Sequence, residues 1–264
     1  MTHPRQRRPA RPLLSAGARR PAAVVLACAV LVLAGGAVLV HDQYADPLDR
    51  WVSESVVTRL AGHGKTLQLV SDLGQKADVI VIIAVICLAC LAARRLNGVV
   101  LAAAAAPAAS VVTEKVLKPL AGHLYPYASY PSGHTTSVFA LVATIAVLLA
   151  GPPSGNTARM PPTLRVTIVA AAVLVGCAVG VAVIGLGDHR FIDTVGGAAV
   201  GVAVVLTGTF VLDLPVSRSL LSLAWPGRLP SAPVDADAGP EPRAPGRAGD
   251  TSARPAGWPP APEP

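Results

Sequence analysis

The sequence predicts an all-α integral-membrane protein: a bundle of six transmembrane helices, a short interfacial helix after the first span, and an extracytoplasmic site. Three observations carry this. Of 264 residues, 52% are hydrophobic and only 14% charged, which is too apolar for a soluble domain of this length. The apolar residues gather into six runs near membrane-spanning length, at residues 22–40, 77–93, 98–116, 135–150, 164–186 and 194–212. The arginines fall on alternate connections between these runs, as cytoplasmic loops require.

Taken in order, residues 1–20 form a basic, Arg/Pro-rich cytoplasmic arm that is drawn to anionic headgroups. The first run is longer than a signal-peptide core. His41-Asp42-Gln43-Tyr44 follows it in place of a small-residue cleavage site, so it reads as a retained anchor. Next, Asp46-Pro47 gives an N-cap with proline at the first helical position. Leu48, Trp51, Val52, Val56 and Leu60 recur at helical spacing, while Asp49, Arg50, Glu54 and Arg59 fill the other face. That pattern predicts a helix lying in the interface and roofing the site. Gly64-Lys65-Thr66 resembles the end of a phosphate-binding loop, but Arg59 stands where the first glycine belongs and no strand precedes it.

The third run is the least apolar, because residues 102–106 are mildly hydrophobic alanines followed by Pro107; the alternation of arginines requires it to span. Gly176, Gly180, Gly196, Gly197 and Gly201 predict close helix approach. Residues 21–214 thus form the membrane domain. Residues 215–264 form a cytoplasmic tail, rich in Pro and Ala and too poor in aliphatic residues beyond about residue 226 to fold alone.

The net charge of +7 raises nucleic acid as a partner, but its placement argues against one. Arg5, Arg7, Arg8, Arg11, Arg19 and Arg20 precede the first run. Arg94 and Arg95, then Arg159 and Arg165, then Arg218 and Arg228, occupy later connections on the same side. This is a topology signal in a cell membrane rather than a clustered basic face. All four cysteines (Cys28, Cys87, Cys90, Cys177) lie inside apolar runs. Cys87-x-x-Cys90 has metal or redox spacing without a polar neighbour, so it reads as two small buried residues. No cofactor or metal is implied. The abundance of Ala, Arg, Pro and Val suits a high-GC bacterial source.

Two polar clusters stand at the ends of the runs: Tyr130-Pro131-Ser132-Gly133-His134, and Asp188-His189-Arg190 with Asp193. One passage out and one back separate the histidines, so both reach the same face. Phosphoryl transfer to a side chain needs a nucleophile, a group to hold its tautomer, an acid for the leaving oxygen and donors for the phosphate. His189 and Asp193, one helical turn apart, supply the first two. His134 supplies the acid. The N–H groups of Ser132 and Gly133 open a helix, where anions bind.

Those clusters, the His189-x3-Asp193 spacing and the six runs resemble the type-2 phosphatidic acid phosphatase superfamily of membrane lipid phosphatases, over roughly residues 22–212. The resemblance implies that His189 becomes a phosphohistidine, Asp193 orients it and His134 is the acid. It also implies that Ser132 and Gly133 hold phosphate oxygens, with no metal. The substrate class would be a lipid phosphate or diphosphate at the outer leaflet, such as polyprenyl diphosphate, phosphatidic acid or phosphatidylglycerol phosphate.

Two of the family's elements depart. Lys118 stands seven residues before Tyr125-Pro126, where the family has Arg-Pro, and Ala182-Val183 stands where it has Ser-Arg. Losing one preorganised donor typically costs about 10²–10³ in rate. Catalysis of phosphate-ester hydrolysis leaves room for that, since accelerations there reach about 10²¹. Lys118, His123 and Arg190 are the expected replacement clamp, with Lys115 nearby. Glu114 and Lys115 pair at the interface, and Asp188 favours the start of the sixth helix. Two other classes compete: a non-catalytic lipid-phosphate binder of the same fold, and a metal site built from His123, His134, His189 and Asp193.

Overall fold

The structure is a computed structural model that describes residues 12–41, 47–124, 130–152 and 160–224. These residues form helices α1 (Ala16–His41), α2 (Pro47–Arg59), α3 (Gly64–Asp72), α4 (Lys76–Ala92) and α5 (Leu96–Val111). α5 runs on through a π-helical segment, Val112–Leu117, into α6 (Lys118–Leu124). Then come α7 (Gly133–Ala150), α8 (Pro162–Gly185), α9 (Phe191–Leu212) and α10 (Pro215–Ala224), with no strand among the described residues.

Five helical stretches are long and apolar enough to cross a bilayer: Ala16–Val40, Leu96–Ala121, Gly133–Ala150, Pro162–Gly185 and Phe191–Leu212. α3 and α4 make a sixth if they count as one span bent by 45°. The chain is therefore a multi-pass membrane protein with five or six spans. Its outer faces carry Leu31, Leu88 and Leu174, exposed at 64–70%, which suits lipid and not water.

α7 and α9 form the centre. α1 and α5 flank α9, α5 and α8 flank α7, α4 backs α5, and α2 and α3 rest on α8. Ala105, Ala109, Ala140, Leu141, Val205 and Leu206 fill the core between α5, α7 and α9. The expected small-residue contacts are present. A Cβ on Gly197 would meet the Ser132 carbonyl oxygen at 2.5 Å, and one on Gly201 would meet the Thr136 carbonyl oxygen at 2.6 Å. Helix backbones approach this closely only over glycine. All four cysteines are free.

Opposite ends of the bundle differ in chemistry. At one end Asp213 accepts from the N–H groups of Leu13 (2.6 Å) and Leu14 (3.0 Å), and Arg95 Nη1 donates to the Leu148 carbonyl at 2.7 Å. At the other end α7 and α9 begin while α8 and the π-helical extension of α5 finish.

Several expectations shift. Residues 16–20, assigned to the arm, open α1, and Leu13 and Leu14 are buried against the bundle. Residues 215–224, assigned to the tail, form α10; residues 1–11 and 225–264 lie outside the described residues. The predicted helix after the first span exists, followed by the additional helix α3. α2, however, is rotated from the expected orientation. Leu48 and Trp51 are exposed at 57% and 64%, while Asp49 is buried at 5%. Asp49 and Ser53 turn inward beside the part-buried Val52, Val56 and Leu60, because the first N–H groups of α9 need acceptors there, while Arg50, Glu54 and Arg59 stay exposed.

Candidate active site

α7 starts at Gly133 because Ser132 takes the extended N-cap conformation, φ −68° and ψ 123°. The Ser132 N–H donates to the Asp193 carbonyl at 2.9 Å, and the Ser132 carbonyl accepts from the Thr136 N–H (3.0 Å) and hydroxyl (2.8 Å). Buried Thr113, from the π-helical segment, donates its hydroxyl to Thr136 Oγ1 at 3.1 Å. Three chain segments are thereby joined at one point. Ser132 is wholly buried, and its Oγ accepts from Thr135 at 3.2 Å. The N–H expected to hold phosphate at Ser132 is thus engaged. The donors left without a helical acceptor start at Gly133.

His189 does not sit on α9, as its spacing from Asp193 suggested. It lies in the turn after α8, where the N–H groups of Asp188 and His189 both donate to the Val183 carbonyl at 3.1 and 3.3 Å. The pair still meets because Asp193, in the first turn of α9, folds its side chain back over the helix start. Its Oδ2 accepts from the Arg190 N–H at 3.0 Å and stands 3.5 Å from His189 Nδ1. That is an ion-pair distance. Nδ1 itself is buried with no hydrogen-bond partner.

His134 is the second residue of α7, half-buried, and within electrostatic reach of His189, Asp188, Lys118 and Asp72. Gly74, between α3 and α4, packs directly on it; a Cβ there would stand 2.9 Å from the His134 Cβ. Lys118 Nζ donates to Glu114 Oε1 at 2.7 Å. This corrects the expected Glu114–Lys115 pair. A Cβ on Gly133 would meet the same Glu114 oxygen at 2.6 Å and Lys118 Nζ at 3.8 Å. Lys118 is thereby placed at the start of α7, beside the N–H groups that suit an anion. The π-helical turn that carries Glu114 is of a kind frequent at functional sites.

Tyr130 fills a slot between Gly36 of α1 and Gly196 of α9, with its hydroxyl donating to the Leu33 carbonyl at 2.9 Å. Burial, reinforced by the charge of Asp193, pushes its phenol up to about 12. Arg190 is exposed, and with His189, Asp188 and Glu54 it lines a cavity of about 380 Å³ between α2 and the α8–α9 turn. It is not among the charges that reach His134. The side chain of His123 and all of Tyr125 lie outside the described residues. No three His, Cys, Asp or Glu side chains gather at metal-binding distance among the described residues. Val183, where the family has arginine, is wholly buried.

Sequence reasoning missed Asp49, Ser53, Asp72 and Gly74. All come from α2 and the α3–α4 turn, and nothing in their local pattern marks them; each acts on a residue far away in the chain.

The fold and site define a multi-pass helical membrane protein with two histidines and a carboxylate gathered where α7 and α9 begin. The model of the PAP2 superfamily matches residues 98–213. That stretch contains His134, His189 and Asp193, and the match supports membership of the PAP2 superfamily and phosphatase chemistry on a lipid phosphate. No curated protein and no solved structure matches the chain.

Proposed function

We propose that the protein is a membrane phosphatase that hydrolyses a lipid phosphate or diphosphate at the outer leaflet through a phosphohistidine. The observation that carries this is the Ser132–Asp193 tie, which holds the His134 and His189 segments side by side. In the proposed reaction the free ring nitrogen of His189 attacks phosphorus, while Asp193 holds the other nitrogen. The P–O bond to the lipid breaks, and His134 gives its proton to the departing oxygen. His134 then takes a proton from water, which attacks the phosphohistidine and releases phosphate. Gly133 N–H and Lys118 bind the phosphate oxygens; Arg190 and His123 would extend the clamp. The alternation of arginines supports a topology with this end outside and both termini cytoplasmic.

The test is phosphate release by the purified full chain in detergent micelles of each candidate lipid, with His189→Ala and His134→Ala alongside. Release that survives both substitutions rejects the assigned roles. Labelling of Asp188→Cys by an impermeant thiol reagent in intact cells reads the sidedness.

A second reading is a lipid-phosphate binder without turnover. It is favoured by the valine at 183 and by the pairing of Lys118 with Glu114, which neutralises the remaining clamp. It predicts lipid-phosphate binding with no release, and a gain of release on combining Tyr125→Arg with Val183→Arg.

A further inference from the structure

The first two N–H groups of α9 have no acceptor within their own helix. α2 supplies both. Asp49 Oδ1 accepts from the Ile192 N–H at 2.8 Å and Ser53 Oγ from the Phe191 N–H at 3.1 Å, across 143 and 138 residues of chain. Asp49 lies in the first turn of α2, where a carboxylate ordinarily favours its own helix; here it is buried at 5% and reaches a different one. The third N–H of this turn, from the N-cap residue Arg190, goes to Asp193 Oδ2. Three consecutive amides around the His189–Asp193 pair are therefore held by side chains. Two of those three come from α2.

From this geometry we infer that Asp49 and Ser53 are positioning residues, which fix the start of α9 and through it the orientation of Asp193 toward His189. The inference rests on the proposed role of His189. Neither residue touches the reacting atoms. What they control is the distance between Asp193 Oδ2 and His189 Nδ1, now 3.5 Å. A misplacement of about 1 Å at such a pair can cost about a hundredfold in rate. The interaction needs an acceptor oxygen at Asp49, not its charge, so asparagine should serve where alanine fails.

The experiment compares the wild-type chain with Asp49→Ala, Asp49→Asn, Ser53→Ala and, as a control on the exposed side of the same helix, Trp51→Ala, all in detergent micelles of the lipid phosphate cleaved best. Asp49→Ala should lower kcat about ten- to hundredfold with KM little changed. Ser53→Ala should lower it less, and Asp49→Asn should recover most of the loss. Trp51→Ala should match wild type. Wild-type kcat in Asp49→Ala, equal losses in Asp49→Asn and Asp49→Ala, or an equal loss in Trp51→Ala would each overturn the inference. Amide hydrogen exchange at Phe191 and Ile192 reads the same contacts without turnover. Slow exchange in wild type that becomes fast in Asp49→Ala supports the cap even if no lipid phosphate is cleaved, in which case it is the phosphatase reading that fails. Fast exchange in wild type rejects the cap whatever the activity.

Discussion

The Ser132 N–H donates to the Asp193 carbonyl at 2.9 Å, and this one backbone contact joins the two segments on which the proposed chemistry depends. It closes because Gly197, one helical turn beyond Asp193, leaves room for the Ser132 carbonyl.

Gly197→Val should therefore push α7 away from α9. Overpacking of this kind costs about 1–3 kcal/mol, and phosphate release should fall further than that loss of stability accounts for. A thermal melt and an activity assay on the same detergent preparation measure both. Wild-type activity in a folded Gly197→Val protein would mean that the contact does not organise the site.

Asp193→Asn should keep the fold and lower kcat by about 10³–10⁴, in line with loss of the tautomer-holding carboxylate in a histidine triad. Trapping an acid-labile phosphoenzyme from labelled substrate checks the cause. The trapped species should be absent in His189→Ala and should form more slowly in Asp193→Asn.

Glu114 both places and neutralises Lys118. In Glu114→Gln the ammonium charge is freed beside the start of α7, so inorganic phosphate should inhibit at lower concentration than in wild type. Lys118→Ala should weaken that inhibition and reduce kcat/KM by about 10²–10³. Inhibition constants for phosphate measured across the three proteins decide the point. Unchanged values in both variants would remove Lys118 from the clamp.

The Tyr130 phenol keeps its proton to about pH 12 in the folded chain, against about 10 when unfolded. Between these values the folded state holds a proton that the unfolded state has released. Stability from this group is thus complete below pH 10 and is lost as pH rises toward 12. Tyr130→Phe should flatten that part of the stability profile. It should also lower stability at neutral pH by about 1 kcal/mol, through loss of the hydrogen bond to Leu33. Unfolding midpoints measured against pH give both quantities.

Much of the design was legible from local pattern. Apolar runs of membrane length are set by the cost of exposing backbone polar groups to lipid, so the helices containing residues 22–40, 135–150, 164–186 and 194–212 could be read directly. The candidate site residues His134, His189 and Asp193 were equally visible, as polar clusters at the ends of apolar runs, and the structure brings their segments together. Where local pattern misled, a distant acceptor or donor had intervened. α2 has the spacing of an interfacial helix with its apolar side inward, yet Asp49 and Ser53 join Val52, Val56 and Leu60 on the inner side to satisfy α9, and Leu48 and Trp51 are left exposed. His189 and Asp193 have helical spacing, yet the helix begins at Phe191 and the carboxylate folds back to reach the ring.

By itself, then, the order of residues determined that the chain is a multi-pass helical membrane protein and where its membrane-length helices fall. These depend on composition within a window of about 20 residues. Only the tertiary structure decided which N–H of the Ser132–Gly133 pair remains for an anion, that Lys118 is paired with Glu114, and that α2 holds the start of α9. Each of these is a hydrogen bond or ion pair whose partner is chosen by three-dimensional proximity, and a buried polar group accepts whatever partner the packing brings to it.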